Sequence, residues 1–271
     1  MRDNFQISPV MNLMVQASRL ASRAIRRDFF ELENLRSVED KVKAFVLKAE
    51  KKAATSIIQI LEEYGTGYGF VIEDMELLEG KEDKEGTLYN WIIDPIDGTL
   101  NFMHSNPNFS ISIALERTRG GVKEYIAGLV YSPIHESLAW AEKGKGTHML
   151  QEDGKNKKVL ISKEKSWPNS TMAIGNKMLY NDEILMHLRE KGVKARISGS
   201  SALDLVNVAC GRVDVAICDV SRSWDTAAGT ILVREARGCV ERYSGDLFIF
   251  GHDSYCSKFL RRKQLTVGND S

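Results

Sequence analysis

Apolar residues Val10, Leu13, Met14, Ala17, Leu20, Ala21 and Ala24 recur at helical spacing. They predict an amphipathic helix from about Ser8 to Phe30, with Ser8-Pro9 as its start. A second stripe, Val42, Phe45, Val46, Ala49, Ala53, Ile57, Ile60 and Leu61, predicts another helix that ends near Gly65. From Phe70 the period shortens. Phe70–Glu73 and Leu88–Ile93 are short apolar runs, and Phe109–Leu115 alternates with period two, so strands are expected. Ile126–Tyr131, Ser137–Ala141 and Thr147–Leu150 continue as an antiparallel meander, followed by a short strand at Thr171–Ile174.

The last third alternates between the two periods. A helix over Asp182–Lys191 precedes a strand near Ala195, and a helix over Ser201–Cys210 precedes a strand over Val213–Cys218. A helix over Asp225–Arg237 then leads to strands at Cys239–Tyr243 and Phe248–Phe250. Strands interleaved with helices predict a layered α/β architecture. The charged stretch Leu77–Gly86 reads as a mobile surface loop. Gly65-Thr-Gly-Tyr-Gly69 reads as a turn. A helix precedes it and a strand follows, the reverse of the order a phosphate-cradling loop needs.

Composition narrows the classes without choosing among enzymes. The chain has 271 residues, with 37 Lys and Arg against 37 Asp and Glu. That balance gives no global attraction to nucleic acid or to an anionic membrane, so direct nucleic-acid binding is not expected. Lys155-Asn-Lys-Lys158 and Arg261-Arg-Lys263 read as solvated basic runs. No apolar segment is long enough to span a bilayer, and Met1–Val10 lacks the core of a signal peptide. Cys210, Cys218, Cys239 and Cys256 are widely spaced and read as free thiols in a reducing cytoplasm.

The chemistry concentrates in Trp91-Ile-Ile-Asp94-Pro-Ile-Asp97-Gly-Thr99-Leu-Asn-Phe102. An apolar strand runs into two carboxylates three residues apart. Pro95 is expected to stop the strand ladder, since it has no N–H to donate. Gly98 permits backbone angles or close approach that a side chain forbids, and Thr99 can open a short helix. The two acids and the Ile96 carbonyl can converge on hard cations such as Mg²⁺, which want oxygen ligands. The amides of Gly98 and Thr99 at a helix start can hold a phosphate.

This string resembles the first signature of the inositol monophosphatase family. Ser223-Trp-Asp225-Thr-Ala-Ala-Gly229 is similar to that family's second motif, and Gly199-Ser-Ser-Ala-Leu-Asp204 to a third, in matching order and spacing. The resemblance covers nearly the whole chain, 1–271, as one domain, and points to the bacterial extragenic-suppressor (SuhB-like) branch. It implies an αβαβα sandwich, a homodimer, and a lithium-sensitive, Mg²⁺-dependent phosphatase acting on inositol 1-phosphate or related small polyol or sugar monophosphates. Fructose 1,6-bisphosphatase-like and nucleotide 3′-phosphatase-like activities remain open on the same scaffold. So does a regulatory role with the transcription machinery.

By the same resemblance Glu73, Asp94 and the Ile96 carbonyl hold one metal, and Asp94, Asp97 and Asp225 a second. Asp74 stands behind them, where the family usually has Glu. Thr99 orients the attacking water, and Glu50 stands where the family carries the supporting Asp, with Leu47 in place of a Thr. Asp97, Gly98, Thr99, Gly199, Ser200, Ser201 and Asp225 are the expected substrate contacts. Cys218 falls where the family places a Glu that contacts substrate hydroxyls, and Asp219, on the opposite face of the strand, is expected to point away.

Overall fold

The computed structural model describes residues 7–32, 39–150, 155–163 and 166–267. Two helices open it, α1 (Pro9–Leu32) and α2 (Glu39–Leu61). The stripes that predict them are buried. Met11, Met14, Ala17, Ala21 and Ile25 of α1, with Val46, Ala53, Ile57 and Leu61 of α2, lie at 3% exposure or less.

The strands that follow are β1 (Gly69–Ile72), β2 (Thr87–Asp97), β3 (Ser110–Arg119), β4 (Val122–Ser132), β5 (Ser137–Glu142), β6 (Gly146–Leu150) and β7 (Asn156–Val159). The short helix α3 (Thr99–Met103) sits between β2 and β3. These strands form one seven-stranded sheet in sequence order. Only β1 and β2 run parallel in it, with Ile72 beside Ile93.

The rest of the chain supplies β8 (Thr171–Ile174), α4 (Asp182–Lys191), β9 (Lys194–Arg196), α5 (Ser201–Ala209), β10 (Val215–Asp219), α6 (Ser223–Glu235), β11 (Cys239–Ser244), β12 (Leu247–Gly251) and α7 (Asp253–Val267). Its sheet has the order β11-β12-β10-β8-β9. There β8 is parallel to both β10 and β9.

Three apolar clusters show the layering. α1 and α2 cover one face of the first sheet through Trp91, Ile93, Ile111 and Trp140. α5 and α6 fill the space between the sheets, where Leu205, Ala228 and Leu232 meet Ile92 and Val130 on one side and Ala216 and Phe250 on the other. α4 and α7 cover the far face of the second sheet through Ile184, Leu188, Tyr255 and Phe259. The order is therefore helix, sheet, helix, sheet, helix, the αβαβα sandwich expected. Close approach at the middle layer depends on Gly229, since a Cβ there would collide with Leu205.

Several expectations are corrected. Pro95 does not end the strand: β2 continues to Asp97, and the register against β3 shifts between Asp94 and Asp97. The chain bulges there instead, which leaves Pro95 outside the ladder while the strand goes on. Leu77–Gly86 is exposed but anchored, because Phe70 and Leu78 exchange backbone hydrogen bonds of 2.8 and 3.0 Å. The four cysteines are not all free: Cys239, at the start of β11, and Cys256, in the first turn of α7, form a disulfide, whereas Cys210 and Cys218 are free thiols. The hairpin β11–β12 folds back and carries the two together. Lys157 and Lys158 lie exposed on β7. Met1–Gln6 and the side chains of Arg261–Lys263 lie outside the described residues. No described helix is long and apolar enough to cross a membrane.

Candidate active site

The parallel pairing of β1 and β2 sets the first two acids side by side. Glu73 leaves the end of β1 with its N–H donating to the Ile93 carbonyl at 3.2 Å, next to Asp94 in β2. Asp225 arrives from the first turn of α6. Carboxylate oxygens of Glu73, Asp94 and Asp225 lie within 4.8 Å of one another. Arg222 Nη1, 3.6 Å from Glu73 Oε1, offsets part of this charge from a largely exposed position.

Electrostatics follow from that crowding. Burial pushes Asp94 well above the usual carboxylate range, and the charges of Asp97, Glu73 and Asp225 push it further. Asp225 is raised to about 6, by burial first and then by Glu73. Asp94 and Asp225 resist ionising beside their neighbours. A desolvated set of oxygen donors with excess negative charge is suited to a hard divalent cation.

Asp97 lies outside this group of three. Its Oδ2 accepts from the Ser200 hydroxyl, from Ala202 N at 3.0 Å and from the Ser110 hydroxyl at 3.3 Å. Burial raises it to about 7 despite the opposing Ser200 and Ala202 hydrogen bonds. One oxygen therefore ties β2 to the start of α5. Asp94 Oδ1 accepts from Ile96 N at 3.0 Å, which braces the bulge.

Thr99 opens α3 as its first helical residue, whereas Gly98, at φ +96°, is the cap. A Cβ on Gly98 would press on the Asn108 and Gly199 carbonyl oxygens and on Ser200 Cβ, so both of the reasons expected for glycine hold. No side chain caps α3. Thr99 Oγ1 lies 2.8 Å from Glu50 Oε1 and 3.2 Å from the Ile96 carbonyl. Its single proton serves Glu50, the shorter and charge-assisted partner. Burial raises Glu50 above its ordinary range, against the Thr99 hydrogen bond and with help from Glu73 and Asp74. Leu47, Glu50, Ala54, Glu73, Asp74 and Pro95 line a cleft at this end of the site. Asp74 is exposed and holds a left-handed backbone at φ +52°.

The expected substrate contacts divide. Gly98, Thr99, Ser201 and Asp225 are half-buried and Gly199 is exposed. Ser200 is buried at 1%, where it caps α5 by accepting from Leu203 N and holds Asp97. Cys218 does not face an open site: it is 2% exposed and packs in the middle layer, and burial drives its thiol well above the ordinary range. Asp219 is the half-exposed residue instead, because β10 ends there and its side chain turns to Lys177.

Sequence reasoning missed Lys177, Arg222, Asn101 and Asp204. Asn101 Nδ2 donates to the carbonyls of Asn108 and Ser198 at 2.6 and 2.8 Å, tying α3 to the loop before α5. Asp204, buried on α5, is raised to about 7 by desolvation, with Ser198 opposing. Both stand inside motifs that were read for other residues.

Comparison with known proteins finds relatives along most of the chain. The model of the inositol monophosphatase family matches residues 6–269. An inositol-1-monophosphatase of Caulobacter vibrioides is 35% identical over 231 residues, covering 83% of this chain and 86% of that protein. The Nus factor SuhB of Pasteurella multocida is 29% identical over 245 residues, 88% of this chain and 87% of its own. The crystal structure of the extragenic suppressor protein SuhB from Bartonella henselae superposes with a TM-score of 0.77 at 32% identity, covering 94% of this chain and 98% of that one. The fold is thus shared along almost the full length, and the chain belongs to the inositol monophosphatase family.

Proposed function

We propose that this protein is a Mg²⁺-dependent phosphomonoesterase that hydrolyses inositol 1-phosphate or related small polyol and sugar monophosphates. The observation that carries the reading is the convergence of Glu73, Asp94 and Asp225 beside a Thr99 hydroxyl already bonded to Glu50. Glu73, Asp94 and the Ile96 carbonyl form one candidate ligand set; Asp94, Asp225 and the remaining Asp97 oxygen form a second. Bound there, Mg²⁺ supplies Lewis acidity that acidifies a water and offsets charge on the phosphate and the leaving alkoxide.

The protein's own groups do the positioning. With its proton committed to Glu50, Thr99 Oγ1 presents lone pairs outward and accepts a hydrogen bond from the attacking water. Glu50, made more basic by burial, takes up the proton that passes through Thr99. The uncapped start of α3 leaves the Gly98 and Thr99 amides to receive phosphate oxygens. Arg222 restrains Glu73 at the rim. The test is phosphate release from inositol, sugar and nucleotide monophosphates with Mg²⁺. Release from nucleotide 3′-phosphates or fructose 1,6-bisphosphate alone overturns the polyol assignment. Inhibition by millimolar-scale Li⁺, a homodimer and a cytoplasmic location belong to the same reading.

A relative named as a Nus factor favours a second role beside catalysis, association with the transcription machinery. Capture of RNA polymerase by Asp94→Asn as well as by the unaltered protein supports it, and capture by neither removes it.

A further inference from the structure

Asp97 is gripped from two chain segments far apart in sequence, and one side chain stands behind both. Ser110, at the start of β3, and Ser200, the cap of α5, donate their hydroxyls to the same oxygen, Asp97 Oδ2. Two residues ahead of each hydroxyl lies a carbonyl, that of Asn108 and that of Ser198, and both accept from Asn101 Nδ2 in α3. A primary amide has two N–H groups, and these two carbonyls use them. The amide cannot be turned over without loss: Oδ1 takes the Asn106 amide at 3.3 Å, and a flipped group would set oxygen against oxygen at both carbonyls. The segments are packed as well as bonded. A Cβ on Gly199 would lie 2.8 Å from Asn101 Nδ2, and one on Gly98 would lie 3.2 Å from the Asn108 and Gly199 carbonyl oxygens.

We propose that Asn101 is a positioning residue for the cation site: by clasping the Asn108 and Ser198 carbonyls it places the Ser110 and Ser200 hydroxyls, and so sets the rotation of the Asp97 carboxylate. The inference rests on the phosphomonoesterase reading, in which the other Asp97 oxygen is a candidate ligand. A carboxylate with three donors on one oxygen, Ser110, Ser200 and Ala202 N, cannot turn without breaking them. The direction of its second oxygen is fixed by the same bonds. Losing a group that orients a ligand typically weakens metal binding by roughly 10–100-fold. Asn101 stands one step further back, but it is shared by both hydroxyl-bearing segments, so its loss loosens them together.

The test uses the full chain and reads Mg²⁺ binding by titration calorimetry, with no substrate present. Asn101→Ala removes both donors, and Asn101→Asp keeps the shape while setting a carboxylate against the two carbonyls. Each variant is first melted in excess chelator to show that it folds. We expect one Mg²⁺ dissociation constant to rise roughly tenfold or more in either folded variant. The Mg²⁺ needed for half-maximal phosphate release should rise in step, with KM for inositol 1-phosphate within a few-fold. A role confined to packing lowers the melting temperature and leaves Mg²⁺ affinity alone. A cycle checks the route: in a chain already carrying Ser110→Ala and Ser200→Ala, Asn101→Ala should weaken Mg²⁺ by less than about twofold more, since the hydroxyls it acts through are gone. Affinity within about twofold of the unaltered chain in a folded variant, or a full further loss in that background, overturns the inference. An unaltered chain that binds Mg²⁺ but releases no phosphate overturns the phosphatase reading alone, and the calorimetry still decides the role of Asn101. An unaltered chain that binds no Mg²⁺ overturns both.

Discussion

Aspartates follow the last residues of a parallel strand pairing in two places, and their surroundings push them in opposite directions. Asp94, in β2, is buried among other acids and is driven well above the ordinary carboxylate range. Asp219, in β10, also feels burial, but the Lys177 ammonium and Ser221 outweigh it and hold the group below that range. Among the described residues no cation pairs with Asp94, whereas Lys177 pairs with Asp219. A buried acid without a partner is costly to ionise, so the site around Asp94 is complete only when positive charge comes from outside. The Lys177–Asp219 pair is complete already. The same residue type at comparable places is thus left without a cation in one sheet and paired with one in the other.

Breaking the first region should have the largest effect. Asp94→Asn should lower kcat roughly a thousandfold or more, since it removes an oxygen ligand shared by both candidate cation positions. Asp219→Asn should keep far more turnover on p-nitrophenyl phosphate. Equal losses in the two variants would erase the distinction. Glu50→Gln keeps the hydrogen bond to Thr99 and removes the base. We expect kcat to fall on the order of a hundredfold with KM within a few-fold, read from initial rates; an unchanged kcat takes Glu50 out of the proton path.

The two regions also differ in what pH does to them. Asp97 rises from 3.8 to about 7 and Asp225 from 3.8 to about 6. Between those limits the folded protein holds more protons than the unfolded chain, so stability falls as pH rises. In excess chelator the melting temperature should drop between about pH 4 and pH 7, and saturating Mg²⁺ should flatten that drop by ligand linkage. A chelated protein whose melting temperature rises over that range would show that the acids are already paired. Asp219 should contribute the opposite slope, at lower pH, because its folded pKa is depressed.

The smallest effect tests how Asp225 is carried between the regions. α6 approaches α5 closely at Gly229, where an added Cβ would meet Leu205. Gly229→Ala should destabilise the fold by about 1–3 kcal/mol through overpacking, measured by denaturant unfolding. A neutral result would mean that the middle layer yields at little cost.

What could be read in advance follows the same division. The helix stripes of α1 and α2 were legible because each faces one core. The period of β3 was legible too, although Ser110 to Glu116 is buried on both faces, since helices cover the sheet on each side. β7 escaped because Lys157 and Lys158 make it polar. α7 escaped because its inward face is reduced to residues such as Tyr255, Cys256 and Phe259. Asp94, Asp97 and Asp225 were legible from local motifs. Lys177 and Asp219 stand 42 positions apart, and only the parallel pairing of β8 with β10 brings them together. Cys218 was misplaced for a related reason: spacing to Asp225 counts residues, whereas the end of β10 decides which side chain reaches the opening.

The most direct test of the account is phosphate release from inositol 1-phosphate by the unaltered protein, measured first in excess chelator and then as Mg²⁺ is titrated back. The account predicts no turnover above background in chelator, recovery as Mg²⁺ is added, and no recovery in Asp94→Asn. Full activity in chelator would contradict it.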